Sequence, residues 1–106
     1  GRQVRFGRCL LDLDARRLST TEGREITLTA MEYDLLKAFA ERPNRVLSRD
    51  VLLDLLKGYE RDPFDRTVDI RVGRLRRKIE PDATNPTFIR TVRGEGYLFN
   101  PRADTD

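Results

Sequence analysis

The chain has 106 residues, 37 % of them charged, with 21 basic against 18 acidic side chains and a pI near 9.4. It holds one cysteine and no histidine, which excludes an internal disulfide, a thiolate zinc site, histidine-based triads and most zinc chemistry. The length suits one domain with a single core, and with no signal peptide and no apolar run near about 18 residues the expectation is a soluble cytoplasmic domain.

Residues 1–28 read as a small antiparallel meander with one buried face. Val4 and Phe6 alternate with Arg5, and Gly7-Arg8 makes a turn. Cys9, Leu11 and Leu13 then point one way, with Leu10 and Asp12 the other. Residues 17–20 form a third strand with Leu18 inward, and residues 24–28 a fourth with Ile26 and Leu28 inward. Cys9 falls among the inward residues and reads as a small core residue. The chain opens directly in strand-like sequence, which reads as a piece of a longer protein.

Thr29 starts a helix, and Glu32 three residues later completes a capping box. Met31, Leu35, Leu36 and Phe39 make its apolar stripe, and Pro43 requires it to stop by Arg42. Val46 and Leu47 are a brief extended pair. Ser48 caps a second helix with Asp50 in its first turn, a buried face of Val51, Leu52, Leu55 and Leu56, and Gly58 as its stop. Residues 58–65, GYERDPFD, form a loop. It is either a plain connector anchored by Phe64 or a contact surface for another protein.

Residues 65–80, DRTVDIRVGRLRRKIE, carry the strongest signal. At 100° per residue Val68, Val72, Leu75 and Ile79 make one narrow apolar stripe. Arg66, Thr67, Arg71, Arg74, Arg77 and Lys78 fall on the outward side, and residues 66–78 hold six basic side chains against one acid, Asp69. Asp69 is expected to pair with Arg66 or Arg76. Ile70 lies nearly opposite the stripe, among the arginines, and Gly73 lies close to that side, where it costs a helix roughly 1 kcal/mol against alanine. A major groove gives both residues a use: an isoleucine touches a thymine methyl, and a missing side chain lets the backbone approach a groove wall. The plainer account is a basic helix end suited to its dipole, with Ile70 an incidental exposed apolar residue.

Residues 87–100, TFIRTVRGEGYLFN, read as a β-hairpin. Phe88, Ile89 and Val92 lie in one arm, Tyr97, Leu98 and Phe99 in the other, and Gly94 and Gly96 permit positive φ at the tip. RGEG lacks the strand-to-helix context and the lysine of a phosphate-cradling loop. Arg93 at the tip either reaches a narrow A·T-rich minor groove or is a surface arginine in a tight turn. No carboxylate pair sits where general acid and base work is suggested, so no catalytic residue, metal or cofactor is expected.

The order of strands, helix, helix, basic helix and hairpin is that of an α+β winged helix-turn-helix, with an N-terminal four-stranded antiparallel sheet (1–28), a three-helix core (29–80) and a wing (87–100). LTAMEYDLL at 28–36, RPNRVLSRDVLL at 42–53, DRTVDIRVGRLRRKIE at 65–80 and IRTVRGEGYLF at 89–99 make the chain resemble the C-terminal effector domain of OmpR/PhoB-type response regulators. The resemblance implies sequence-specific binding to double-stranded DNA for transcription control, as the output domain of a two-component system. It implies that Arg66 and Thr67 contact phosphates, that Ile70, Arg71 and Arg74 face base edges or groove walls, and that Arg76 and Lys78 lie nearer the DNA backbone or the protein interior. Thr91 and Arg93 are implied as phosphate and minor-groove contacts of the wing. The loop with Tyr59, Glu60, Arg61 and Asp62 is implied as an RNA polymerase contact. Family members bind direct repeats as head-to-tail dimers after phosphorylation of an N-terminal receiver domain, which these 106 residues do not include. Gly73 departs from the family pattern, since many relatives carry a polar or basic side chain there. An alternative is a winged helix acting mainly through protein contacts, with Ile70 and Phe64 in one apolar patch. RNA binding is disfavoured because no paired aromatics mark a sheet surface for base stacking.

Overall fold

A computed structural model describes residues 2–56 and 68–103. Strands β1 (Gln3–Phe6), β2 (Cys9–Asp12), β3 (Arg17–Thr20) and β4 (Glu25–Ile26) form an antiparallel sheet in sequence order. Its register aligns Val4, Leu11, Leu18 and Ile26 as one apolar rung across all four strands. Phe6, Cys9, Leu11 and Leu18 are buried on its inner face, as the period-2 pattern required. The fourth strand is shorter than the expected 24–28. The carbonyl of Thr27 accepts from Lys78 Nζ at 2.9 Å, and Thr29 is already a helix cap, so the ladder stops at Ile26.

Helix α1 (Ala30–Ala40) starts on the expected capping box: Glu32 N–H donates to Thr29 Oγ1 at 3.1 Å and Thr29 N–H to Glu32 Oε1 at 2.8 Å. It buries Leu35, Leu36 and Phe39. Strand β5 (Val46–Leu47) leads into helix α2 (Arg49–Leu55), where Ser48 Oγ accepts from Val51 N–H. Helix α2 differs from expectation. It ends at Leu55, before Gly58, and buries only Leu52 and Leu56, leaving Val51 at 43 % and Leu55 at 38 % exposure. In so short a helix one i, i+4 stripe reaches the core, and the adjacent stripe, 100° round, faces away.

Helix α3 (Val68–Ile79) buries the whole predicted stripe of Val68, Val72, Leu75 and Ile79. Strands β6 (Ile89–Val92) and β7 (Gly96–Phe99) form the hairpin, and β5 adds to it in the order β5-β7-β6. The two sheets meet in one core. Phe6 packs edge-on against Phe88 and Phe99 with ring centroids 5.3 and 5.1 Å apart, and Phe39 lies 6.5 Å from Phe99. All four rings are essentially fully buried, each worth roughly 1.5–3 kcal/mol of transfer free energy. The connection after α3 is closed by Glu80. Its buried carboxylate accepts from the backbone N–H groups of Thr87 (2.8 Å), Phe88 (3.0 Å) and Ile89 (2.8 Å) and so fixes where the wing begins.

Candidate nucleic-acid interface

The outward face of α3 is built by exclusion. With one stripe buried, Ile70, Arg74 and Arg77 are exposed on the far side, Ile70 at 40 %. A methyl group built on Gly73 would meet nothing within 4 Å, so no packing demands glycine there. These four positions match the face expected from the sequence.

Arg71 and Lys78 are both engaged with the protein, Lys78 in keeping with its implied place nearer the protein interior. Arg71 is buried at 6 % exposure and lines a cleft between α1 and α3 with Thr29, Met31, Glu32, Leu35 and Arg74. It sits 100° from Ile70 and next to Val72, at the margin of the buried stripe. Lys78 donates from Nζ to Glu32 Oε1 at 2.6 Å and to Thr27 O, tying the end of α3 to the start of α1. Burial works against ionisation of Glu32, yet the Lys78 ammonium and the Thr29 N–H outweigh it and hold the carboxyl below its ordinary value. Arg66 and Thr67, Asp65 and Phe64, and the loop residues Tyr59, Glu60, Arg61 and Asp62 lie outside the described residues.

The wing stands beside this face. Its turn is closed by Glu95 N–H donating to Val92 O at 2.9 Å, with Gly94 at φ +78° and Gly96 at φ +142°. Arg93 and Thr91 are exposed. Gly96 has a second reason to be glycine: a Cβ there would fall 2.1 Å from the carbonyl oxygen of Leu47, where β7 runs against β5.

Of the two partners expected for Asp69, Arg66 lies outside the described residues, and Arg76 is not bonded to it. Arg49 of α2 reaches its Oδ1 from Nε at 3.0 Å and Nη2 at 2.9 Å, and the Tyr97 hydroxyl of β7 donates to the same oxygen. The Tyr97 hydroxyl first, and Arg49 after it, hold the Asp69 carboxyl below its usual range. Arg76 turns instead to the wing, donating from Nη2 to Ile89 O at 2.7 Å and to Thr91 Oγ1 at 3.1 Å. The guanidinium carbons of Arg49 and Arg76 lie 5.4 and 5.3 Å from the centre of the Tyr97 ring. A lone acid in a basic helix and a tyrosine in an apolar strand both signalled a need for partners. Neither signal could name Arg49. Cys9, the single thiol, is buried and pushed up to about 11 by loss of solvation, as suits a core residue.

Residues 23–99 match the family described as transcriptional regulatory protein, C terminal. The chain is 47 % identical over 105 residues to the regulatory protein VirG of Agrobacterium fabrum, covering 99 % of this chain and 41 % of VirG. It thus spans about two fifths of the length of that curated relative. Among solved structures it is similar to the RstA DNA-binding domain of Klebsiella pneumoniae in complex with the RstA box, with a TM-score of 0.79 and 36 % identity over 95 % of this chain and 99 % of that one. It is also similar to the C-terminal effector domain of BfmR from Acinetobacter baumannii, with a TM-score of 0.80 and 38 % identity over 95 % and 92 % of the two chains.

Proposed function

The chain belongs to the winged-helix, DNA-binding C-terminal domains of OmpR/PhoB-type transcriptional regulators, and from that premise we propose how it reads duplex DNA. Helix α3 enters the major groove and the wing reaches the adjacent minor groove. One observation carries this reading: Ile70, Gly73, Arg74 and Arg77 share an accessible face of a helix whose opposite face is wholly core, with Arg93 at the tip of a hairpin bonded to that same helix. Ile70 and Arg74 meet base edges, and Arg77 meets a groove wall. Arg66 and Thr67 contact phosphates where α3 begins, Thr91 contacts a phosphate from the wing, and Arg93 lies in an A·T-rich minor groove. Arg71 and Lys78 serve the protein side, the first as packing and the second as the tie to α1.

In the full-length protein this domain is the output end of a cytoplasmic two-component regulator and follows a receiver domain. Two copies occupy direct repeats head to tail. The loop with Tyr59 to Asp62 contacts RNA polymerase, a role supported by the exposed Val51, Leu53 and Leu55 on the helix just before it. That exposure also favours a second reading, a module acting mainly by protein contact. Capture of RNA polymerase without DNA, together with no shift of any duplex pool, would establish it in place of the first.

Selection of binding sites from random duplex DNA tests the proposal, and recovery of a motif with repeat spacing is expected. Arg74→Ala should weaken binding to that motif by about 1–3 kcal/mol, measured by fluorescence anisotropy. Unchanged affinity would remove Arg74 from the reading face.

A further inference from the structure

We infer that Asp69 and Tyr97 are positioning residues that set how the wing arginine is aimed relative to the reading face of α3. This rests on the DNA-reading proposal and deepens it. Asp69 and Arg76 stand seven residues apart on α3, two turns and about 10 Å along one flank. Both face the hairpin, and they hold different strands of it. Asp69 takes the Tyr97 hydroxyl on β7, while Arg76 takes Ile89 O and Thr91 Oγ1 on β6. Thr91 and Tyr97 are directly paired across the hairpin. The helix therefore grips both strands at the same rung.

Only one further rung, Val92 with Gly96, separates that grip from the turn bearing Arg93. A hairpin held so near its tip has little freedom to swing. Arg49 completes the clamp from α2 by bonding Asp69 and lying over the Tyr97 ring, so both helices and the wing are joined through one cluster of side chains. The reading residues lie beside this clamp: Ile70 follows Asp69, and Arg74 lies one turn further along the exposed face. A major-groove helix and a minor-groove arginine bind together only if their separation matches the duplex. Asp69 and Tyr97 are engaged with each other and with Arg49, and through that contact they fix the separation. The Tyr97 ring is buried at 3 % exposure and contributes to the core in its own right, so the inference concerns its hydroxyl.

A double-mutant cycle on the whole chain, with the duplex recovered by selection as probe, separates aiming from plain stability. Affinity is measured for Arg93→Ala and Arg74→Ala, each in the wild-type and Tyr97→Phe backgrounds, alongside thermal unfolding. In wild type, Arg93→Ala is expected to weaken binding by about tenfold, and in Tyr97→Phe by about twofold or less, because a wing already misaimed has little to lose. Arg74→Ala should cost the same factor in both backgrounds, which a general loss of folded protein cannot produce alongside the first result. Equal losses from Arg93→Ala in both backgrounds overturn the inference, as does an Arg93→Ala without effect in wild type. If Tyr97→Phe does not fold, Asp69→Asn takes its place with the same expectations. A wild-type chain that binds no duplex overturns the DNA reading and this inference together. A wild-type chain that binds, loses affinity with Arg74→Ala and gives an additive cycle overturns the inference alone.

Discussion

Gly73 is the residue at which the reading face is easiest to change. It sits mid-helix with open space where a side chain would go, so its cost is that of helix propensity alone. Gly73→Ala should stabilise the domain by about 0.5–1 kcal/mol, read as a higher denaturant midpoint with unchanged slope. If DNA affinity falls at the same time, close backbone approach to the groove is the reason the glycine is present. Asp69 makes a second prediction at this scale. Its folded pKa lies below the ordinary value of 3.8, so its stabilising contribution is complete above that value and is lost as pH falls through the lower, folded one. The stability gap between wild type and Asp69→Asn should therefore be constant near neutrality and close as pH drops below about 4, in chemical denaturation followed across pH. A gap that persists at lower pH would mean that the carboxylate charge is not what Arg49 and Tyr97 recognise.

Among the elements, the wing is the one most dependent on a single position. Gly96 combines φ +142°, which L side chains rarely adopt, with a carbonyl oxygen 2.1 Å from where a Cβ would be. Gly96→Ala should separate β7 from β5 and destabilise by about 2–4 kcal/mol, visible as a lowered melting temperature. Gly94→Ala, with the same sign of φ but nothing within 4 Å, should cost less than Gly96→Ala in the same measurement. Helix α2 illustrates the opposite case. Its cap and start followed from Ser48, but its apolar residues exceed what two turns can bury, and Val51, Leu53 and Leu55 remain accessible. Composition alone could not show this, because apolar content says how much a helix would bury and only its neighbours say how much they cover.

At the scale of the whole molecule, a modest net charge conceals a directed one. The proposed contacts bring four cations, Arg66, Arg74, Arg77 and Arg93, to phosphates or grooves from one side. Log affinity should fall linearly with log salt, with a slope between about −1, for the Arg66 phosphate contact alone, and about −4, for all four cations, since each neutralised phosphate contributes about −0.9. A flat titration would contradict the DNA reading however well the fold matches. The charges of Lys78 and Glu32 are spent within the protein, and so add nothing to that slope.

Much of this architecture was legible in the chain itself. The buried stripe of α3, the caps at Thr29 and Ser48, the alternation in the first sheet and the glycines of the wing are local features. They depend on periodicity, on a side chain reaching its own backbone, or on φ, and each acts within a few residues. What the tertiary structure alone decided is the fate of polar side chains with several possible partners. Lys78 finds Glu32 across 46 residues, and Asp69 finds Arg49 across 20 and Tyr97 across 28. A helical angle constrains where a side chain starts. Its end goes to whichever desolvated acceptor or apolar surface the fold brings near, and that choice exists only once the elements have packed.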